Sequence, residues 1–471
     1  MKRILIVLLC MVFSMQGQDS CDSCSSGKSH SVFIPRSITE DQALALSISL
    51  SEHFDTKDPG VSFVVKPFFM RSTHPTAIAE HFLIDNKVAI NVQQDGSGDL
   101  NPAWLDLTAS SPELYKSTFS MSPRWNAYGF WMSTEMMLWC GWWVAIDTAL
   151  VRSQQNLNLK NTGPQVPASS SGVSTMGQAV NQCEFEHGRM SSNTLSVVGL
   201  DNIQALVGYK LIDRPSINFE LYATGVLGTG ERLKEQYLFT PLVGSPENAF
   251  GCGVGGRVHL LRSENHNISL LMGVEYVYHQ GLWAKGSFDL CANGDWSRYL
   301  SVVKRGEESI PLPGINFFTR SVYVKSHSTL DMTFIMHYQR CAFQVEVGYN
   351  FWYRQKIRLD SISSVPKDHG IYDIAGPPYT TASTATIAQS DHQQNPVVSD
   401  SSFVEIKAGD LNIETATPPL AVSSKFFIVM AYEPEIRCKP VVFAGVSYEQ
   451  ALVKGAFSQV GFWLGASVEL G

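Results

Sequence analysis

From Phe343 to Arg354 the chain alternates without a slip over twelve residues. Phe343, Val345, Val347, Tyr349, Phe351 and Tyr353 make one set, and Gln344, Glu346, Gly348, Asn350, Trp352 and Arg354 the other. Successive side chains of an extended strand point to opposite faces, so this segment has one apolar face and one polar face. The last segment repeats the pattern. Val460, Phe462, Leu464, Ala466, Val468 and Leu470 alternate with Gln459, Gly461, Trp463, Gly465, Ser467 and Glu469. Further copies run over 203–211, 217–227, 250–260, 268–278 and 330–338.

A soluble sandwich would alternate in the same way, so length has to decide. The segments are ten to fifteen residues long, against about 5–6 for ordinary strands and about 9–11 for a tilted strand crossing a bilayer. Twelve strands are predicted, near 61–71, 122–134, 139–153, 198–212, 216–229, 249–262, 267–282, 327–339, 342–354, 422–433, 439–450 and 456–470. Long and short connections alternate between them, except that the one after the eleventh is short where a long one is expected. Aromatic residues gather at the ends of the apolar faces, as at Tyr276, Tyr278 and Tyr353. Long outer loops, short periplasmic turns and aromatic girdles are the arrangement of outer-membrane barrels.

The N-terminus agrees. Lys2 and Arg3 precede ten apolar residues, Ile4 to Phe13, and Ser14, Gly17 and Ser20 follow. That order describes a secretory signal peptide over residues 1–17, too short to span a bilayer. Gln18-Asp19-Ser20 before Cys21 disfavours a lipid anchor. The longest later apolar run, Met136 to Ile146, is eleven residues and stops at Asp147. An exported chain without a spanning helix can cross a membrane only as a closed barrel, because every backbone N–H and C=O must be paired within the wall. The expected fold is therefore all-β, a single closed transmembrane antiparallel barrel of about twelve strands. It occupies 61–471, and residues 18–60 form a periplasmic or plugging segment. Within that segment Ile38 to Phe54 reads either as a short helix opened by Thr39 or as a strand.

Composition narrows the function by exclusion. The formal charge of −8 becomes −10 once Lys2 and Arg3 leave with the leader. With no basic run, nucleic acid is excluded as a partner. The twelve histidines are scattered and none stands at ligand spacing with another His or Cys, so no metal site is expected. Cys21 and Cys24 have CxxC spacing without a βα context, which argues against redox catalysis. Cys140, Cys341 and Cys438 fall at predicted turns, and Cys183 with Cys291 is a candidate staple between outer loops. No Ser–His constellation stands out, so neither catalysis nor a cofactor is expected. The stretches 161–182 and 361–421 are rich in small and polar residues and read as solvated loops.

The run Gly199-Leu200-Asp201-Asn202-Ile203 through Gly208-Tyr209-Lys210-Leu211, with Glu220 to Gly230, resembles a hairpin of porin-like barrels of the aromatic-degradation (meta-pathway) transporter type. That family shows Gly-Leu-Gly-Asp, then Gly-Tyr, then Pro-Thr-Gly. This chain keeps Asp201, Gly208-Tyr209 and Gly228-Thr229-Gly230, departs just before Asp201, and has Gly228 where Pro is usual. The match covers about 30 residues. Val32 to Ser37 with Asp410 to Ile413 is also similar to uncharacterised barrels of intracellular bacteria. The chain ends Val468-Glu469-Leu470-Gly471, without the terminal aromatic that barrel-assembly machinery reads.

The resemblance and the pattern together imply an outer-membrane, porin-like channel or facilitator for small solutes. Its partners would be outer-membrane lipid, the assembly machinery and the solutes themselves. The alternative is a closed structural or surface-recognition barrel acting through its loops. Asp147, Lys210, Glu220, Arg257, Glu275, Asp331, His337, Glu346 and Arg354 fall on inward faces and are the candidate lumen-lining residues. Arg257 and Glu275, on neighbouring strands, are expected to lie within reach of each other.

Overall fold

The computed structural model describes residues 29–47, 60–107, 115–163, 173–263, 266–306, 311–372, 383–389, 403–434 and 440–470. The leader, Cys21, Cys24 and Cys438 lie outside them. Twelve long strands follow in chain order: β1 (Gly60–Ser72), β2 (Arg124–Met137), β3 (Trp142–Asn156), β4 (Ile203–Arg214), β5 (Ile217–Leu227), β6 (Ala249–Arg262), β7 (Asn267–His279), β8 (His327–Arg340), β9 (Phe343–Arg354), β10 (Ala421–Tyr432), β11 (Val441–Ala451) and β12 (Gln459–Leu470). Each pairs antiparallel with its neighbour, and β12 returns to β1 with Val61 opposite Leu470. The ring closes, so the wall has no unpaired edge.

Alternation in the sequence becomes alternation in burial. β9 exposes Phe343 and Val347 and buries Gln344, Glu346, Gly348, Asn350, Trp352 and Arg354. Phe63, Phe130, Phe334, Phe426, Val446 and Phe462, from six strands, all stand exposed on the outside. In water such a surface would aggregate; against acyl chains it is solvated. Trp139, Trp142, Phe343 and Tyr432 gather outward at the turn end, where an interfacial girdle belongs. The protein is a transmembrane β-barrel.

Two departures from expectation have local causes. The hairpin between β2 and β3 sits about three residues later than predicted, because Met136 to Ile146 carries no polar turn marker. The turn is made instead by Cys140 and Gly141, at φ 59° and 81°. The fourth strand is interrupted: Leu195–Leu200 and β4 both pair with β3, and Asp201 and Asn202 between them leave the ladder.

The wall is filled from within. On the turn-side half, large aromatic side chains lie across glycines of the next strand. A Cβ at Gly348 would come within 2.0 Å of the Phe427 ring, and one at Gly445 within 2.2 Å of Trp463. These glycines make room for the rings, and the rings fill the lumen. At the other end the long connections pack over the barrel mouth. The helix α2 (Pro75–Phe82), Trp104, Phe119, Trp296 and Phe318 share one apolar core with the barrel interior. Trp296 Nε1 donates to the Phe82 carbonyl at 2.8 Å, and Arg298 pairs with Asp289 at 2.7 Å, both fully buried. The described parts of 161–182 and 361–421 are only partly solvated: Thr162, Gln178, Lys367, Asp368 and Lys407 are exposed, but Val173, Met176, Ala179, Ala385, Ile387 and Ala416 are buried. A composition that resembles a solvated loop here also supplies the apolar residues that anchor these connections to the core. Cys183 is free whereas Cys291 is disulfide-bonded, so the expected staple between them is not formed.

Candidate functional site

Residues 29–47 run through the lumen from the loop end downward. His30 N–H donates to His81 O and Ser31 N–H to Thr415 O, both at 2.8 Å, among the outer loops. Deeper, Ser37 Oγ donates to the Asp201 carboxylate at 3.0 Å, Thr39 N–H to Asp201 at 2.8 Å and Thr39 Oγ1 to the Asn202 carbonyl at 3.1 Å. The break in the fourth strand is thus where the segment docks: the Asn202 carbonyl, out of the ladder, accepts from Thr39, while the Asp201 N–H still donates to the Ala149 carbonyl of β3. The one-turn helix α1 (Gln42–Leu46) follows, flanked by Asp41.

Charges fasten this segment to the wall. Arg36 pairs with Asp331 and lies 3.7 Å from Asp41, and Asp41 pairs with Lys425, which is 3.0 Å from Glu449. Gln42 Nε2 donates to Glu275 at 2.8 Å. Lys66 Nζ donates to the Leu44, Ala45 and Ser47 carbonyls at 2.7, 3.0 and 2.9 Å, and lies 4.6 Å from the centre of the Trp131 ring. The last carbonyls of a helix lack intrahelical donors and carry its negative pole, and a buried ammonium satisfies both.

All nine residues singled out from the alternation are buried: Asp147, Lys210, Glu220, Arg257, Glu275, Asp331, His337, Glu346 and Arg354. Lys210 stands opposite Glu220 in register, and His337 Nδ1 is 3.2 Å from Glu346. Arg354 NH1 donates to the Ile34 carbonyl at 2.8 Å. Arg257 and Glu275 are not brought together. Glu275 stands opposite Gly253 and Arg257 opposite Leu271, four residues along the same pair of strands. Glu275 is instead held by Gln42 and Gln204. Lys66, Lys425 and Glu449 belong to the same inward network, and their signal was present as charges in register inside alternating strands. Arg36 and Asp41 carried no such signal, because nothing in the sequence places their segment against a given strand.

Above the segment, under the loops, lies a cavity of about 100 Å³. Its walls are mainly apolar, with Ile34, Ile38, Trp125, Val243, Val322 and Trp352 among them. One side is polar, formed by Glu40, Glu247, His279, His327 and Arg354. His279, the last residue of β7, is directly opposite His327, the first of β8, and their rings stack at 4.7 Å within 6° of parallel. Glu247 reaches over from the connection before β6, with Oε2 at 3.8 Å from His279 Nδ1 and 3.7 Å from His327 Nε2. Burial pushes the Glu247 carboxyl up to about 7. No metal site was expected from histidine spacing, yet residues 247, 279 and 327 offer three donor atoms within 4.8 Å of one another.

No protein-family model and no curated protein matches the sequence. Among solved structures, the chain is similar to an outer-membrane channel from Pseudomonas putida F1, with 7% identity, a TM-score of 0.37 and coverage of 88% of this chain and 96% of that one. It is also similar to the Pseudomonas putida toluene transporter TodX, with 10% identity, a TM-score of 0.35 and coverage of 96% and 98%. A third is the transport unit of the autotransporter AIDA-I from Escherichia coli, with 8% identity, a TM-score of 0.33 and coverage of 92% and 99%. At these scores the likeness adds nothing to the assignment of the fold, which rests on the pairing and burial described above.

Proposed function

We propose that the barrel passes small solutes with an apolar body across the outer membrane, and that residues 29–47 are the gate. The cavity carries this reading: a mainly apolar chamber under the loops, floored by a segment that is held by polar contacts. Passage requires the segment to move. Once it has moved, Asp147, Lys210, Glu220, Arg257, Glu275, Asp331, His337, Glu346 and Arg354 line the path. On this reading residues 18–60 act as a plug, the barrel takes residues 61–471, and the chain is assembled by the barrel-assembly machinery. The test is flux through refolded protein in planar bilayers and vesicles. Wild type should be nearly silent, and Asp41→Ala, which frees the wall's Lys425 from the segment, should open conductance steps and admit small aromatic solutes. Silence in both, with folding verified by faster migration of unboiled samples on gels, would reject the channel.

One observation favours a second reading. The outer loops are densely packed in an apolar core continuous with the barrel interior, more than a passive pore needs. A closed surface-recognition barrel would show no flux in either protein.

A further inference from the structure

We propose that Glu247, His279 and His327 form a binding site for one divalent transition-metal ion at the loop end of the lumen. Two imidazole nitrogens and one carboxylate oxygen make a mixed donor set suited to Zn²⁺ and its first-row neighbours rather than to Ca²⁺ or Mg²⁺, which take oxygen alone. The donors stand on separate elements whose positions are fixed. The two histidines occupy one cross-strand pair, and Glu247 comes from the connection above them. The Glu247–imidazole separations of 3.7 and 3.8 Å are a few tenths of an ångström wider than a tetrahedral ion with bonds of about 2.0–2.2 Å would set, and the two imidazole nitrogens lie within 4.8 Å of each other. Side-chain rotation closes that gap. An ion lies in the plane of each imidazole it binds, so the stacked rings must tilt out of parallel to share one. At the strand ends this leaves the ladder intact.

Two further features fit an ion. His279 Nε2 lies 3.2 Å from Thr329 Oγ1. A hydrogen bond there, donated by the ring, keeps Nδ1 free as the donor facing Glu247; this is the outer contact that metal-binding histidines use. His327 Nδ1 is buried with no hydrogen-bond partner among the described residues, so no hydrogen bond at that nitrogen opposes a tilt of the ring. The site also opens into the cavity. Arg354, with Nε and NH2 unpaired among the described residues, lines the same cavity. Its positive charge is offset by Glu40 and Glu247, and it would favour an anionic fourth ligand, such as a carboxylate, on the bound ion.

The inference does not depend on passage through the barrel, and its test reads binding alone. Full-length protein refolded without an affinity tag is stripped with chelator and titrated with Zn²⁺ by calorimetry, and with Co²⁺ by visible absorption. One equivalent per chain is expected, with Co²⁺ giving ligand-field bands. His327→Ala and Glu247→Gln should each weaken binding by more than the roughly 10- to 100-fold that loss of an outer contact brings, and Thr329→Val by about that amount. His266→Gln, at the opposite end, should bind as wild type, and gel mobility verifies that each variant folds. Absence of a saturable equivalent in wild type overturns the proposal. So does binding that survives in folded His327→Ala.

Discussion

Removing the ammonium of Lys66 should release the luminal segment without unfolding the barrel. Lys66→Met keeps most of the side-chain length but leaves the Leu44, Ala45 and Ser47 carbonyls without their shared donor. Each hydrogen bond to a charged group contributes about 1.5–3 kcal/mol, partly offset because the variant no longer buries an ammonium. An orphaned buried carbonyl costs about 1–3 kcal/mol, and water reaching the lumen brings this to the lower end. The Leu44 carbonyl keeps Ser47 Oγ as a donor at 3.1 Å, so two orphaned carbonyls at about 1 kcal/mol each give about 2 kcal/mol, or on the order of 30-fold in the docking equilibrium. The wall pairing of β1 is backbone and is untouched. The assay is trypsin cleavage after Arg36, whose side chain is 6% exposed when docked. Cleavage should speed up by about that factor while the midpoint of urea unfolding in vesicles moves little. If protection of Arg36 is unchanged in a folded variant, Lys66 does not hold the segment.

Val347 faces lipid near the middle of β9, so Val347→Arg should lose roughly 2–4 kcal/mol and much of its folding yield in vesicles. A yield equal to wild type would mean that the outward face is misassigned. In the connection before β6, burial pushes the Glu235 carboxyl up to about 8. A carboxyl raised in the folded state stabilises fully below its unfolded value of about 4.5 and loses that contribution as pH rises towards 8, about 3 kcal/mol by pH 7. Protease resistance of the outer loops should therefore fall from pH 5 to pH 8 in wild type and fall less steeply in Glu235→Gln, where the raised Glu247 carboxyl still contributes; equal slopes refute the assignment. Cys183 is exposed and free whereas Cys291 is bonded, so a maleimide should label Cys183 at once and Cys291 only after reduction, as peptide mass spectrometry would read.

The strands were legible because period 2 is a local property: each residue of 343–354 declares its face through its immediate neighbours. Packing between strands is not local. Alternation alone makes Glu346 a water-facing position where an arginine would be harmless. In the folded barrel Glu346 is fully buried against His337, and an arginine there would leave a buried cation beside an imidazole. Register adds a second barrier. The short turn between β8 and β9 fixes which residues meet, as at His337 and Glu346. The connection of nearly fifty residues between β7 and β8 leaves their register open in the sequence, and with it the meeting of His279 and His327. Strand pairs joined by tight turns can be read ahead of the structure; pairs joined by long loops cannot.

The same distinction explains why the luminal segment gave so little sign of its role. Its apolar residues alternate as a strand would and also suit a short helix, and its two anchoring charges, Arg36 and Asp41, are of opposite sign. Docking exchanges the hydration of that pair for the wall's Asp331 and Lys425. Exchanges of this kind come out near neutral, because desolvation offsets most of the attraction. An apolar plug of the same length would instead bind through the hydrophobic effect, at about 25 cal/mol for each Å² removed from water, and would stay. A segment attached by paired charges, a lysine on its last carbonyls and hydrogen bonds to a broken strand is held in one register and can still leave, which is the balance a gate requires.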